Sequence, residues 1–389
     1  MENVNNIQNA QLNNNVVADD GMAMPTISTT RKMLVVGCGD GGCNIASAIV
    51  QAMPNDCYGI AYNLSSRAMQ LQQSNTRIWP MNIDGSGKFR DDATATFKKV
   101  TGATFINRVM EVTSAMGHCD YVLVIGTSDG GTGSGTVPTM VKLLKKNLEI
   151  PVVVMGVYPS IKEDAMSQYN AIQWQKDITA TGAPYIILDN NVEKTLVNAH
   201  EAVNNYAVKI AQLLGGYTYG NTDISIIDNR NLYMLVEQIG GRIVIATDEG
   251  RIDSQDNLDE HILSKILPNC YQPEPSNVRG IGIFVKGPKA LIEKVDTDLV
   301  EIQKRYGQAV LKFAHLEISD KTAVSILLSG CNEPEARLQI MRDKHADVTS
   351  KRPVNDSVSG DLASTMENPL GVMKTATRKV SLDLSALED

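Results

Sequence analysis

The chain has 389 residues, 43% hydrophobic and 21% charged, enough to bury a large core and to form two domains. A net charge of −8 with a pI near 5.3 argues against broad nucleic-acid affinity, which needs a basic face. No run approaches the roughly eighteen apolar residues of a membrane span, and the first residues lack the basic and apolar regions of a secretion signal.

Residues 1–30 are rich in Asn and Gln and lack periodicity, which predicts a disordered arm. From Arg31 a β-α alternation begins. KMLVVG is a strand, Gly37-Cys38-Gly39-Asp40-Gly41-Gly42-Cys43-Asn44 a glycine loop, and IASAIVQAM a helix. Gly37, Gly39 and Gly42 have the GxGxxG spacing of dinucleotide folds, a weak signal alone. CYGIAYNLS follows as a strand, then a long helix near 93–116. Between them lies Asp84-Gly85-Ser86-Gly87-Lys88-Phe89-Arg90-Asp91, a third glycine-bearing loop or an ordinary solvated turn.

DYVLVI then enters the most informative segment, Gly126-Thr127-Ser128-Asp129-Gly130-Gly131-Thr132-Gly133-Ser134-Gly135-Thr136, which leads into the helix VPTMVKLLKK. Glycines at a strand-to-helix turn let backbone N–H groups crowd an anion, and the helix adds its positive dipole end. No Lys follows, so this is not the common P-loop. Thr132 and Ser134 can add hydroxyl donors. Two such loops imply one phosphorylated ligand held by both.

PVVVMGVYP, a helix near 163–179 and PYIILDN continue the pattern, and the apolar strands predict a parallel sheet covered on both faces. A long central helix runs to Leu214, with Val203, Ala207, Ile210, Ala211 and Leu214 at helical spacing. GRIVIAT, GIGIFVKG, VLKFAHLEIS and TAVSILLSG form a second, smaller α/β unit with helices over SQDNLDEHILSKIL and PKALIEKVDTDLVEIQKRYG. The divisions are a nucleotide-binding domain at 31–197, central helix and linker at 198–220, a C-terminal domain at 221–346 and a flexible tail at 347–389. The tail ends in SLDLSALED, a frayed end or an acidic docking peptide. The cysteines (Cys38, Cys43, Cys57, Cys119, Cys270, Cys331) show no CxxC pair, which fits reduced core thiols in a cytoplasmic protein rather than disulfides or zinc.

GxGxxGxN followed by GGTGSG resembles the tubulin/FtsZ superfamily of GTPases, over about residues 31–346. GGC in the first loop and the compact LDNN look more like the plasmid and phage tubulins (TubZ, PhuZ) than FtsZ. The resemblance implies GTP/GDP and Mg²⁺ as cofactors, with the nucleotide bound by Gly39, Asp40, Gly41, Gly42, Cys43 and Asn44 and by Gly130, Gly131, Thr132, Gly133, Ser134 and Gly135. Gly87 and Lys88, with Arg90, fall where the family senses the γ-phosphate. Asp129 stands where the family usually has glycine; it and Asp40 either turn outward or help hold Mg²⁺ through water.

An Asn amide both donates and accepts, so it can read guanine. The resemblance gives that role to Asn190 and Asn204, with His200 competing, and lines the ribose with Tyr158 and Pro159. The catalytic acid, Asp228 or secondly Asp223, falls in NTDISIID, where FtsZ shows NxDxxD; a plain helix N-cap also explains an Asp there. In the family this loop enters the next subunit's pocket, so GTP hydrolysis requires a head-to-tail homopolymer. The expected role is segregating a plasmid or positioning phage DNA through an adaptor, in a bacterial or phage-infected cytoplasm. The alternatives are a division-ring GTPase, and a dinucleotide-dependent oxidoreductase built on the first loop alone, which leaves GGTGSG without a purpose.

Overall fold

The computed structural model describes residues 31–350, apart from 67–68, 70–73, 82, 193–195, 216–231, 251, 253–256, 309 and 317–321. The arm, the tail beyond 350 and the acids Asp223 and Asp228 lie outside the described residues.

Among the described residues the strands build one ten-stranded sheet in the order β3-β2-β1-β4-β5-β6-β7-β10-β8-β9. Its first part is parallel: β1 (Met33–Cys38), β2 (Cys57–Tyr62), β3 (Thr76–Ile78), β4 (Tyr121–Thr127), β5 (Val152–Tyr158) and β6 (Tyr185–Asp189). β1 and β5 are buried along their full length, as strands covered on both faces must be. β7 (Arg242–Gly250) joins β6 through only two residue pairs. β10 (Thr322–Cys331) then lies antiparallel between β7 and β8 (Gly280–Gly287), and β9 (Val310–Leu316) closes the edge parallel to β8. The sheet is therefore mixed but mostly parallel.

The helices are α1 (Gly39–Ala52), α2 (Arg90–Thr96), α3 (Gly102–Ala115), α4 (Gly131–Asn147), α5 (Ala165–Thr181), α6 (Leu196–Leu214), α7 (Leu258–His261), α8 (Lys289–Thr297), α9 (Val300–Tyr306) and α10 (Glu335–Ser350). A wide π-helical turn at Phe97–Thr101 lies between α2 and α3 with the backbone helical throughout, so the expected long helix is one run with a bulge in it. PKALIEKVDTDLVEIQKRYG, by contrast, forms two helices, α8 and α9, instead of one. Val203, Ala207, Ile210, Ala211 and Leu214 of α6 are all buried against the sheet. The short β3 and the C-terminal α10 were not anticipated. α10 buries Leu338 and Met341 but exposes Ile340, so its apolar stripe is too thin to signal a helix.

On the opposite face of the sheet, Tyr158 of β5 shares a second core with Trp174, Phe97 and Phe105. Here Trp174 lies so tightly on β5 that a Cβ at Gly156 would sit 2.1 Å from its ring. Gly156→Ala is expected to destabilise the protein by about 1–3 kcal/mol, the usual cost of overpacking a filled core. Urea unfolding measures it, and an unchanged midpoint would refute this packing.

Candidate nucleotide cleft

The parallel strands reverse their order of succession between β1 and β4, and such a switch point opens a crevice at the carboxyl ends of the strands. The cleft there has a volume of about 490 Å³. Its walls include Gly39, Asp40, Gly41 and Asn44 after β1, and Asp129, Gly130, Gly131, Thr132 and Gly133 after β4. The loop with Gly85, Ser86 and Gly87 closes one side, while Asn190, His200 and Asn204 stand at another part of the rim. Both glycine loops, the third loop and both candidate amides therefore face one space.

Close packing sets the two loops in place. A Cβ on Gly42 would lie 2.4 Å from the Ile125 carbonyl, and one on Gly133 2.4 Å from the Thr127 carbonyl. These glycines let α1 and α4 press onto β4, and the donors near the cleft are positioned as a result. Neither helix has a side-chain cap at its N-terminus, whereas Asp164 caps α5 by accepting from the Ser167 amide. Uncapped first-turn N–H groups and two positive dipole ends thus meet at the cleft, an environment that attracts an anion.

The amide oxygen Oδ1 of Asn190 is buried and has no hydrogen-bond partner. A buried acceptor left unsatisfied is costly, and a ligand donor reaching it from the cleft removes that cost. Asn204 is half-buried and His200 exposed on the same helix. Asp40 is exposed, and one of its carboxylate oxygens, Oδ1, accepts from Asn63 Nδ2. Asp129 is half-buried, and its carbonyl is held at 3.0 Å by Asn170 Nδ2, which also reaches the Lys88 carbonyl at 3.0 Å. Asn170 thereby ties the second and third loops together.

Other expected residues sit elsewhere. Gly42 and Cys43 are buried under the first loop, and Cys43 Sγ donates to the Gly37 carbonyl at 3.3 Å. Gly135 is packed against the Arg90 carbonyl, and the Ser134 hydroxyl donates back to the Gly130 carbonyl within its helix. Lys88 turns away from the walls to pair with Asp164 and the Ser167 hydroxyl, and Arg90 pairs with Asp177. Tyr158 lies wholly in the core, donating to Gln175, because alternation along β5 sends Val157 to the cleft instead. The Pro159 carbonyl is taken by Arg337. Asn63, Ser65, Ser86, Thr127 and Val157 line the cleft although no motif singled them out as ligands. Asn63 and Ser65 directly follow β2, a position where only the strand order reveals their nearness to the two glycine loops.

Among the described lining residues there is no Lys or Arg, and no group of three or more His, Cys, Asp or Glu could hold a metal. The carboxylates Asp40 and Asp129 would suit a divalent cation that takes its remaining ligands from phosphate and water. Five of the six thiols are buried, and no helix among the described residues is long and apolar enough to cross a membrane.

Residues 32–197 match the Tubulin/FtsZ family, GTPase domain. The chain is 20% identical to the tubulin-like protein CetZ2 of Haloferax volcanii over 343 residues, covering 82% of this chain and 94% of that protein. It is 30% identical to the tubulin-like protein TubZ of Clostridium botulinum C phage over 169 residues, covering 41% of this chain and 45% of that one. The GTPγS-bound protofilament of CetZ2 superposes with a TM-score of 0.67 at 18% identity, over 82% of this chain and 99% of CetZ2. A GTPγS-form protofilament of Bacillus thuringiensis serovar israelensis TubZ gives 0.69 at 15% identity, over 83% and 94%. The CetZ likeness was not foreseen.

Beside the cleft, burial first and then the neighbouring Asp129 push the Glu163 carboxyl from its ordinary 4.5 up to about 7, against the pull of the Ser160 amide and Lys88. A raised carboxyl favours the protonated folded form. Its cost to stability therefore grows as pH climbs above 4.5 and is complete above about 7. Glu163→Gln is expected to raise the melting temperature at pH 8 more than at pH 5; an equal change at both would contradict this assignment.

Proposed function

We propose, from the Tubulin/FtsZ GTPase domain of residues 32–197 and the cleft it builds, that this chain is a self-assembling filament protein hydrolysing GTP to GDP and phosphate where successive subunits meet. One observation carries the reading: two uncapped helix N-termini and the unpartnered Asn190 amide oxygen serve the same cleft. The helix ends suit a polyanion, and the amide suits a base that donates from N1 and N2, as guanine does.

In this reading the first-turn amides of α1 and α4 hold the phosphates, Thr132 adds a hydroxyl, and Asn190 and Asn204 orient the base. Mg²⁺, when bound with the nucleotide, offsets the phosphate charge that the cleft does not meet with cations of its own. Asp40 and Asp129 are the carboxylates placed to share its water shell. The acid that polarises the attacking water comes from a neighbouring copy, Asp228 or secondly Asp223. Catalysis then consists of positioning and electrostatics, completed by polymer contact. The protofilament form of the CetZ2 and TubZ structures supports head-to-tail stacking. Residues 31–197 act as the nucleotide domain, 198–220 as the connecting helix and linker, and 221–346 as the activating domain. GGC and LDNN favour a role in moving plasmid or phage DNA through an adaptor, in the cytoplasm.

Sedimentation of the purified protein with GTP, GDP and GTPγS tests the assembly. The wild type is expected to pellet with GTP, with phosphate release that shows a concentration threshold. Asp228→Ala should give longer-lived polymers and little phosphate. Full-speed turnover in dilute monomer would overturn the shared site. Fluorescent GTP against NADH tests the cleft itself: Asn190→Ala should weaken GTP about tenfold by removing one ligand hydrogen bond, and preference for NADH would refute the guanine assignment.

A further inference from the structure

The base end of the cleft is held by a residue far outside the nucleotide-binding sequence. Arg337, in the first turn of α10, is 7% exposed. Its Nε donates to Asp189 Oδ2 at 2.7 Å, and its Nη2 donates to Asp189 Oδ1 at 3.2 Å and to the Pro159 carbonyl. Asp189 is the last residue of β6, immediately before Asn190, and is itself 6% exposed. Its Oδ1 also accepts from the Asn191 amide at 2.9 Å, so one carboxylate grips the chain on both sides of Asn190. Asn191 Oδ1 in turn accepts from the Ile161 amide at 3.2 Å, joining the segment after β5 to the segment after β6.

We infer that Arg337 is a positioning and specificity-determining residue for the base: through Asp189 it fixes the backbone that aims the Asn190 amide into the cleft. The inference rests on the guanine reading above. A buried ion pair is seldom kept for stability, because apolar residues of the same volume usually serve that end as well. A guanidinium fork does what they cannot: it fixes a carboxylate in one plane, and here it takes in the carbonyl of Pro159, just after the adjoining strand β5. The unpartnered amide is therefore held in place before any ligand arrives, the condition under which a hydrogen bond discriminates between bases.

Binding of fluorescent GTP and ATP to the full chain tests this, with Arg337→Lys, which keeps the charge but loses the fork, and Asp189→Asn, which keeps the shape but loses the charge. In both variants GTP affinity is expected to fall about tenfold while the weaker, phosphate-held ATP affinity stays, so that discrimination drops by about the same factor. Circular dichroism identifies the folded variants. Discrimination within about twofold of wild type in a folded variant, or equal losses for both nucleotides, overturns the inference. So does failure of both variants to fold, which assigns Arg337 to the core alone. Wild-type protein that binds no GTP overturns the guanine reading itself, a result distinct from a wild type that discriminates and variants that still do.

Discussion

Everything at the cleft depends on how near two helices come to one strand. α1 and α4 both lean on β4, at Ile125 and Thr127, at distances where any Cβ would collide with a carbonyl. That contact brings the uncapped ends of both helices to one place, and the fields of two dipoles add there. A larger residue at Gly42 or Gly133 would push a helix outward and separate the donors without touching a ligand. The glycines act first as spacers between backbone and backbone, and their value to a phosphate follows from that.

The charge balance has the same logic. The described walls carry carboxylates and backbone dipoles and no Lys or Arg, because Lys88 and Arg90 are spent on Asp164 and Asp177. Those pairs fasten the third loop and α2 to α5, so the cations hold the frame in shape. A site built this way draws an anion with helix dipoles alone and leaves part of its charge unmet, so it suits one that arrives with its own metal ion.

Much of this was legible in the sequence, for identifiable reasons. Apolar runs bounded by glycine mark the parallel strands, and strand-glycine-helix order puts both loops at the carboxyl ends of those strands, as a parallel sheet requires. Asn190 and Asn204 were placed by resemblance, and the cleft contains both. Tyr158 was misjudged because the face a strand residue takes is set by register, and Val157 has the cleft side. Lys88 could not be placed from sequence, since its partner Asp164 is 76 positions away. Arg337 was invisible for the same reason: its helix has a faint apolar stripe, and nothing local announces a tie across 148 positions.

The sheet has a narrow waist. β6 and β7 share two residue pairs, while β7 and β10 are paired along most of their length. The waist is reinforced from the side by Arg242, whose guanidinium donates to the carbonyls of Asn332, Pro273 and Glu274, and by the Asp189 amide bonded to the Tyr271 carbonyl. Only two backbone pairs join these strands, so the side-chain and loop contacts around them carry the rest of the junction. Asp189 takes part through its amide while its carboxylate is held by Arg337, so the joint between the strands and the setting of Asn190 at the cleft share one residue.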